Sequence, residues 1–282
     1  MENEKNDTPE KATDADIYAH KLALADLLRE PAIRSAIQAL KLPPGSRGLD
    51  AGCGIGSHTL LLAEAVEPGG QVIGLDLSSE ILVIAREIAK KSGMSEQVSF
   101  QEGDVNRLPF DDDTFDWVWS VDCVGYYRIG EPLTLVKELA RVVKPGGSIA
   151  ILFWSSQQLL PGYPLLEARL NATSAGIAPF VKDKGPELHF LRALGWFHEA
   201  RLKEPGAQTF VGDVHAPFND DIRSALISLF QMRWGEVKSE LSQEDWEEYQ
   251  RLSQPESQDF ILNLPDYYAF FTYSLFSGRV AQ

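Results

Sequence analysis

The sequence predicts an α/β fold in which a mostly parallel sheet of seven strands carries helices on both faces. Three observations predict it. Apolar runs of strand length alternate with segments of helical periodicity between residues 47 and 153. A glycine-rich turn, Gly52-Cys53-Gly54-Ile55-Gly56, joins the first such strand to the first such helix. Acidic residues close the first two strands, Asp50 and Asp76, the second lying at the end of Val72-Ile73-Gly74-Leu75.

The elements follow in order. Residues 1–14 are polar and expected to be disordered. Residues 16–40 have a helical pattern, with Leu22, Leu24, Leu27 and Leu28 followed by Ile33 and Ile37. Pro31 suits the first turn of a helix, so two short helices are expected there. Pro43-Pro44-Gly45 breaks to a strand at 47–49. Helix 57–66, strand 71–75, helix 79–92, strands 97–101 and 115–120, helix 131–143 and strand 147–153 complete the alternation. Beyond Trp154 the character changes, because Pro161, Pro164 and Pro179 punctuate 155–185 around a helical stretch at 165–175. A helix at 185–194 and a strand at 202–211 return to the core pattern. Helices 220–232 and 243–252 come next, and the alternating aromatic run from Tyr267 to Phe276 reads as the last strand. The expected organisation is a tail and helical cover at 1–42, a ligand-binding core at 43–155, and late strands with an inserted helical cap at 156–282, within one structural domain. No internal repeat is present.

Composition bounds the function. A chain of 282 residues with 44% hydrophobic content can build one large core, or a core with a cap. No apolar run reaches the length of a membrane span, and the start Met1-Glu2-Asn3-Glu4 is too polar for a secretory leader. Two cysteines in a chain of this size point to a reducing compartment, so a cytoplasmic protein is expected. The net charge of −15, with no basic patch, disfavours nucleic acid and anionic membrane surfaces. The acidic run at Glu244, Asp245, Glu247 and Glu248 reads as a solvated helix face.

The spacing of the glycine turn selects the ligand. A dinucleotide fingerprint is G-x-G-x-x-G/A, but here the glycines run G-x-G-x-G and Ser57 stands at the third small position. Asp50 would also repel a pyrophosphate. A ligand carrying an ammonium or sulfonium group suits that carboxylate, and S-adenosylmethionine has both.

Asp50-Ala-Gly-Cys-Gly-Ile-Gly56 is similar to the first motif of the class I S-adenosylmethionine-dependent methyltransferases. Three further segments follow in that superfamily's order: Gly74-Leu-Asp-Leu-Ser78, Glu102-Gly-Asp-Val-Asn-Arg-Leu-Pro-Phe110, and the run from Lys137 to Gly147. The resemblance is greatest to the ubiquinone/menaquinone-biosynthesis type of small-molecule methyltransferase, and it implies a Rossmann-like fold. It also implies roles. Asp76 would accept from the ribose hydroxyls, with a turn acid as its plainer reading. Asp50 would hold the methionyl ammonium, and Gly52, Gly54 and Gly56 would leave the backbone bare beside the ligand. Leu77 would pack on the adenine, Asp104 would accept from its amino group unless it only forms a turn, and the Val105 amide would donate to the ring. Tyr18 would fold over the cofactor or pack within its helix; His58 and Ser120 complete the expected cofactor set.

The acceptor is reached by elimination. The strand end Ser120-Val121-Asp122-Cys123 lacks the Asn/Asp-Pro-Pro-aromatic tetrad of amino-directed DNA methyltransferases, and neither a paired-glutamate loop nor an acidic magnesium set is recognisable. A small organic molecule is therefore expected, with its C-, O- or N-nucleophile open and no metal. Candidate bases are His58, Asp122, Tyr126, Tyr127 and His189, needed only if the acceptor must lose a proton. Trp154 and Tyr163 are the expected substrate contacts, the first of a set of cap aromatics with Phe180, Phe190, Trp196, Phe197, Phe218, Trp234 and Trp246. The alternative is a catalytically inactive cofactor-binding subunit that binds a partner. Cys53 and Cys123 are expected near the donor site as free, small, buried residues.

Overall fold

The computed structural model describes residues 12–126, 128–178, 180 and 184–282. In chain order its strands are β1 (Arg47–Ala51), β2 (Gln71–Asp76), β3 (Val98–Glu102), β4 (Phe115–Val121), β5 (Val143–Gln158), β6 (Lys203–His215) and β7 (Tyr268–Arg279). They form a single seven-stranded sheet in the spatial order β3-β2-β1-β4-β5-β7-β6. The first five run parallel, and β7 lies antiparallel between β5 and β6. The helices are α1 (Asp14–Leu40), α2 (Ser57–Ala65), α3 (Ser79–Lys91), α4 (Pro132–Val142), α5 (Pro164–Asn171), α6 (Ala193–Glu199), α7 (Asp220–Trp234) and α8 (Gln243–Ser253). The expected α/β architecture, with a mostly parallel sheet of seven strands, is the one observed.

Strand β4 shows how the core is divided. Its side chains alternate across the sheet. Trp117 and Trp119 enter the layer that holds Leu28, Ala32 and Ile33 of α1 and Leu62 of α2. Val118 enters the opposite layer, with Leu135 and Leu139 of α4 and Trp196 and Phe197 of α6. A strand buried on both faces reads as a continuous apolar run, and Phe115-Asp116-Trp117-Val118-Trp119 nearly is one. Beyond β4 the order of the sheet reverses about β1: the chain goes to β2 and β3 on one side and to β4 and β5 on the other. The crevice above such a reversal is where open α/β sheets bind ligands.

Three expectations are corrected. The N-terminal segment is one helix, with Pro31 in its interior and not at the start of a second. Pro31 removes an N–H and crowds the preceding turn, a cost of about 3 kcal/mol. Burial of Leu28 on one side of it and of Ala32, Ile33, Ala36 and Ile37 on the other holds the helix in one piece. Thr13 and Asp16 close the start of α1 with a reciprocal capping box, and Ser35 Oγ donates to Pro31 O at 2.8 Å. Pro31→Ala is therefore expected to stabilise the protein by roughly 1–3 kcal/mol; an unchanged or lower thermal midpoint would show that the packing of α1 requires the proline.

Strand β5 extends well past the expected 147–153, to Gln158, because β7 continues to pair with it after a register shift between Trp154 and Ser156. The helix expected at 185–194 is instead two 3-10 turns, Pro186–Leu188 and Phe190–Arg192, leading into α6. Extended backbone at His189, φ −69° and ψ 133°, interrupts helical propagation there. Helices α7 and α8 lie between β6 and β7, and α7 packs on α1. This puts α7 and α8 in the same core layer as α1, Trp117 and Trp119.

Candidate active site

After β1 the chain turns through Gly52, Gly54 and Gly56, which adopt positive φ of 83°, 52° and 80°, before α2 begins. Side chains are disfavoured in that region. At Gly52 one would also collide, since a Cβ would stand 2.4 Å from Cys123 Sγ. The amides of Gly52 and Cys53 donate to Leu75 O at 2.8 and 2.9 Å, which pins the loop to β2. The Gly54 amide donates to Asp76 Oδ2 at 2.9 Å, and the Ser78 amide to Asp76 Oδ1 at 3.1 Å. Each oxygen has a second lone-pair direction for a ligand hydroxyl. Leu77, beside it, is 69% exposed. Gly56 precedes α2 without a side-chain cap, so the positive end of that nine-residue helix is left to the crevice.

Asp50 lies one step deeper and is 1% exposed. Burial pushes its pKa up to about 6, and the nearby Asp76 charge adds to this; His58 and the hydrogen bond from Thr59 act in the opposite direction. That bond, from Thr59 Oγ1 to Asp50 Oδ2, measures 2.7 Å. His58 is buried beneath the same loop, with Nε2 3.5 Å from Asp26 Oδ1. From α1, Tyr18 reaches the same region: partial burial and then the Asp76 carboxylate raise the pKa of its hydroxyl. At the next strand end, Asp104 Oδ1 accepts from both the backbone and the side-chain nitrogen of Asn106 at 2.8 Å, so its turn-forming reading is realised on an exposed loop. Val105 is buried behind it.

Ser120, expected in the cofactor set, lies in the interior. It is completely buried, its Oγ donating to Ala51 O at 2.8 Å and accepting from the Val124 amide at 3.2 Å. Its hydroxyl braces β1 against the turn after β4.

That turn begins with Asp122, held at φ 47°. A left-handed non-glycine residue costs about 1–2 kcal/mol, and its carboxylate is compensated by several partners. Oδ1 accepts from Tyr126 Oη at 2.7 Å and from the Trp154 amide at 2.9 Å. Oδ2 accepts from Tyr273 Oη at 3.2 Å and lies 3.8 Å from Arg29 Nη1. Burial, followed by the charge of Asp122, pushes both tyrosine hydroxyls well above their ordinary value. Arg29 Nε donates to Asp26 Oδ1 at 2.6 Å, so a chain of polar side chains runs from His58 under the glycine loop to Asp122 at the end of β4.

Of the expected bases, the structure joins Asp122 to Tyr126. It sets His189 apart. That ring stacks on Phe190 at 4.5 Å, and its Nδ1 accepts from the Leu191 amide at 3.2 Å, so it caps a turn. Burial lowers its pKa. Tyr127 lies outside the described residues. Trp154 stands beside Asp122, its ring stacked on Phe271 at 4.6 Å. Tyr163 precedes α5 and lies beside Arg251 of α8; among the described residues no contact joins it to Asp122. Most of the cap aromatics are interior: Phe197 and Trp234 are fully buried, and Trp246 packs on Tyr249. Cys53 and Cys123 are free, as expected, and burial raises both thiols, Cys123 to about 12.

Asp26, Arg29, Thr59, Tyr273 and Arg233 belong to the site and were not singled out by the sequence. The pair Asp26 and Arg29 carried a signal, two opposite charges one turn apart within the leucine-rich part of α1. Arg233 carried none.

A carboxylate at the end of β2, a buried one at the end of β1 and a bare glycine loop at a helix N-terminus thus meet at the sheet's reversal point. Residues 49–147 match the methyltransferase domain family. The chain is 30% identical over 195 residues to the demethylmenaquinone methyltransferase of Bacillus subtilis, a match covering 64% of this chain and 81% of that one. It is 38% identical over 130 residues to the Bacillus cytotoxicus protein of the same name, covering 46% of this chain and about half, 53%, of that one. Its fold is shared with the YcgJ protein of Bacillus subtilis, with a TM-score of 0.55 at 19% identity, over 90% of this chain and 99% of that one. The chain belongs to the class I S-adenosylmethionine-dependent methyltransferases, and S-adenosylmethionine is its cofactor.

Proposed function

We propose that this chain methylates a small organic acceptor in the crevice between Asp76 and Asp122, in the cytoplasm, with the demethylmenaquinone of its relatives as precedent. The observation that carries the reading is the convergence of Asp50, Asp76 and the uncapped start of α2 on one glycine loop. The residues fit the cofactor: the loop is a cradle that a single Cβ would fill, and the buried Asp50 charge calls for a cation. Bound S-adenosylmethionine supplies a methyl group already activated by its sulfonium. Asp76 would hold the ribose hydroxyls, Asp50 the ammonium, and the N-terminus of α2 the carboxylate. Leu77, Asp104 and Val105 would flank the adenine, and Tyr18 would cover it. Helices α1 and α7 and the segments after 154 form the cover that orients the acceptor and keeps water out. Asp122 is placed to take a proton where the acceptor must lose one, directly or through the Tyr126 hydroxyl, which would pass its own proton to Asp122 Oδ1 as it receives the acceptor's. Among the described residues no helix is long and apolar enough to cross a membrane.

Titration with S-adenosylhomocysteine should show micromolar or tighter binding, about 8 kcal/mol or more. Protein incubated with labelled cofactor and a metabolite extract should pass label to a small molecule. Transfer would also remove the alternative of an inactive partner-binding subunit. Binding of NAD in place of either adenosyl ligand would overturn the assignment.

Asp50 gives that binding a pH dependence. Burial favours its neutral form, so the contribution of Asp50 to stability is fullest below about pH 4 and declines as pH rises from there through about 6. The contribution is roughly 3 kcal/mol. Ligand affinity runs the other way, because an ammonium needs the carboxylate. S-adenosylhomocysteine should bind with constant affinity above about pH 7 and about tenfold more weakly per unit below pH 6, and Asp50→Asn should flatten the profile. A level profile for the unaltered protein would detach Asp50 from the ligand.

A further inference from the structure

Asp50 supplies the charge that the proposed ammonium contact needs, and the protein gives it no counter-ion. Among the described residues no lysine, arginine or histidine nitrogen comes within 4.0 Å of its carboxylate. Arg29 is taken by Asp26 at 2.6 Å and lies 3.8 Å from Asp122, and His58 Nε2 approaches Asp26 at 3.5 Å. Burial favours the neutral form of such a carboxylate, and the Asp76 charge disfavours ionisation further. Asp50 nevertheless has one close partner. Thr59 Oγ1 donates to Oδ2 at 2.7 Å, and both residues are buried, Thr59 completely. The other oxygen, Oδ1, takes no hydrogen bond among the described residues and is not sealed off.

Local geometry builds this contact. Asp50 is the fourth residue of β1 and Thr59 the third of α2. The glycine turn between them folds the first turn of α2 back onto the strand end, so residues nine apart meet. Thr59 is β-branched, and its side chain has few rotamers in a helix. A helical threonine hydroxyl can turn to a carbonyl of the preceding turn, but this one turns to the carboxylate. A hydroxyl that donates to an ionised carboxylate makes a bond about twice as strong as one between neutral groups, so it favours the charged form. It differs from a cation in one respect. A neutral donor stabilises the carboxylate without cancelling its charge, which stays available to a ligand.

We propose that Thr59 is a positioning residue for the cofactor: its hydroxyl fixes the Asp50 carboxylate through Oδ2, leaves Oδ1 to the crevice, and keeps the group ionised at neutral pH for the ammonium of S-adenosylmethionine. This rests on the methyltransferase reading of the same site and extends it to a residue that acts through Asp50. The role belongs to the hydroxyl and not to the bulk of the side chain.

The charged and titratable groups that face Asp50 are His58 from α2, Asp76 from β2, Arg29 from α1, Cys53 from the glycine loop and Cys123 from the turn after β4. All of them remain in Thr59→Val, which puts a methyl group where the hydroxyl was. S-adenosylhomocysteine is titrated into the variant and the unaltered full-length protein between about pH 6.5 and about pH 8.5. The ratio of the two affinities cancels the titration of the ligand itself. Near-equal affinity is expected at the alkaline end, with a deficit of the valine variant that grows about three- to twentyfold toward the acid end. That growth follows because a hydrogen bond to a charged group moves a proton equilibrium by about one to two powers of ten. Thr59→Ser, which keeps the donor, should follow the unaltered protein at every pH. Thr59→Cys, a weaker donor, should fall between the two, and it carries the test if the valine variant does not fold. A ratio that stays level with pH would overturn the proposal, since a residue that only packs weakens binding equally throughout. A serine variant that behaves like the valine one would overturn it as well, because the shape and not the donor would then matter. Failure of the unaltered protein to bind S-adenosylhomocysteine at any pH would instead remove the methyltransferase reading beneath it, so the two failures are distinguishable.

Discussion

Replacing Asp76 with alanine is expected to weaken S-adenosylhomocysteine binding by about 1.5–3 kcal/mol, roughly ten- to 150-fold, the scale of hydrogen bonds to a charged group. The carboxylate has two tasks at once. Toward the protein it accepts from the Gly54 and Ser78 amides, which holds the loop at the end of β2. Toward the crevice its remaining lone pairs are left for the proposed ribose contact. Asp76→Asn separates the tasks, since an amide oxygen can still accept one backbone N–H. The asparagine variant should keep the thermal midpoint of the unaltered protein within a few degrees while losing much of the affinity. Equal loss of stability and affinity in both variants would mean that Asp76 serves the loop and not the ligand.

Asp122→Ala is expected to cost stability more than any other substitution at the site. Its removal leaves Tyr273 Oη, Tyr126 Oη and the Trp154 amide without their acceptor and Arg29 with one anion fewer. Removing one partner of a buried charged set typically costs about 3–5 kcal/mol, which for a domain of this size is a fall in thermal midpoint on the order of 10 °C. Relief of the left-handed backbone would not offset it, because alanine there is strained as well. A fall of only a degree or two would show that the cluster is wet and the carboxylate dispensable. Asp122→Asn, which keeps an acceptor for Tyr126, should recover most of the midpoint.

The parts of the fold legible in the sequence were those with local signals. The glycine turn, the strand ends at Asp50 and Asp76, and the alternation from 47 to 153 rest on neighbours a few residues apart, and they stand where the pattern put them. What was misjudged depends on distant partners. Pro31 was given its local meaning, a helix start, but the two halves of α1 share one buried face. The burial of Ser120, whose hydroxyl donates to Ala51 O on the neighbouring strand, likewise had no local signal. The acceptor side was least legible of all. Asp122, Trp154, Arg233 and Tyr273 come from the end of β4, β5, α7 and β7, separated by up to 151 residues, and no spacing rule connects them.

The unbroken α1 has a mechanical consequence. A helix of 27 residues is about 40 Å long and stiff at that length. Its first turns carry Tyr18 beside the Asp76 carboxylate; its middle carries Asp26 and Arg29, which engage His58 and Asp122; its flank bears on α7. Two helices hinged at Pro31 would let the half that carries Tyr18, Asp26 and Arg29 move apart from the half buried through Ala32, Ile33, Ala36 and Ile37. A single rod cannot tilt at one end without displacing the other, so the packing of its buried second half fixes where Tyr18, Asp26 and Arg29 stand.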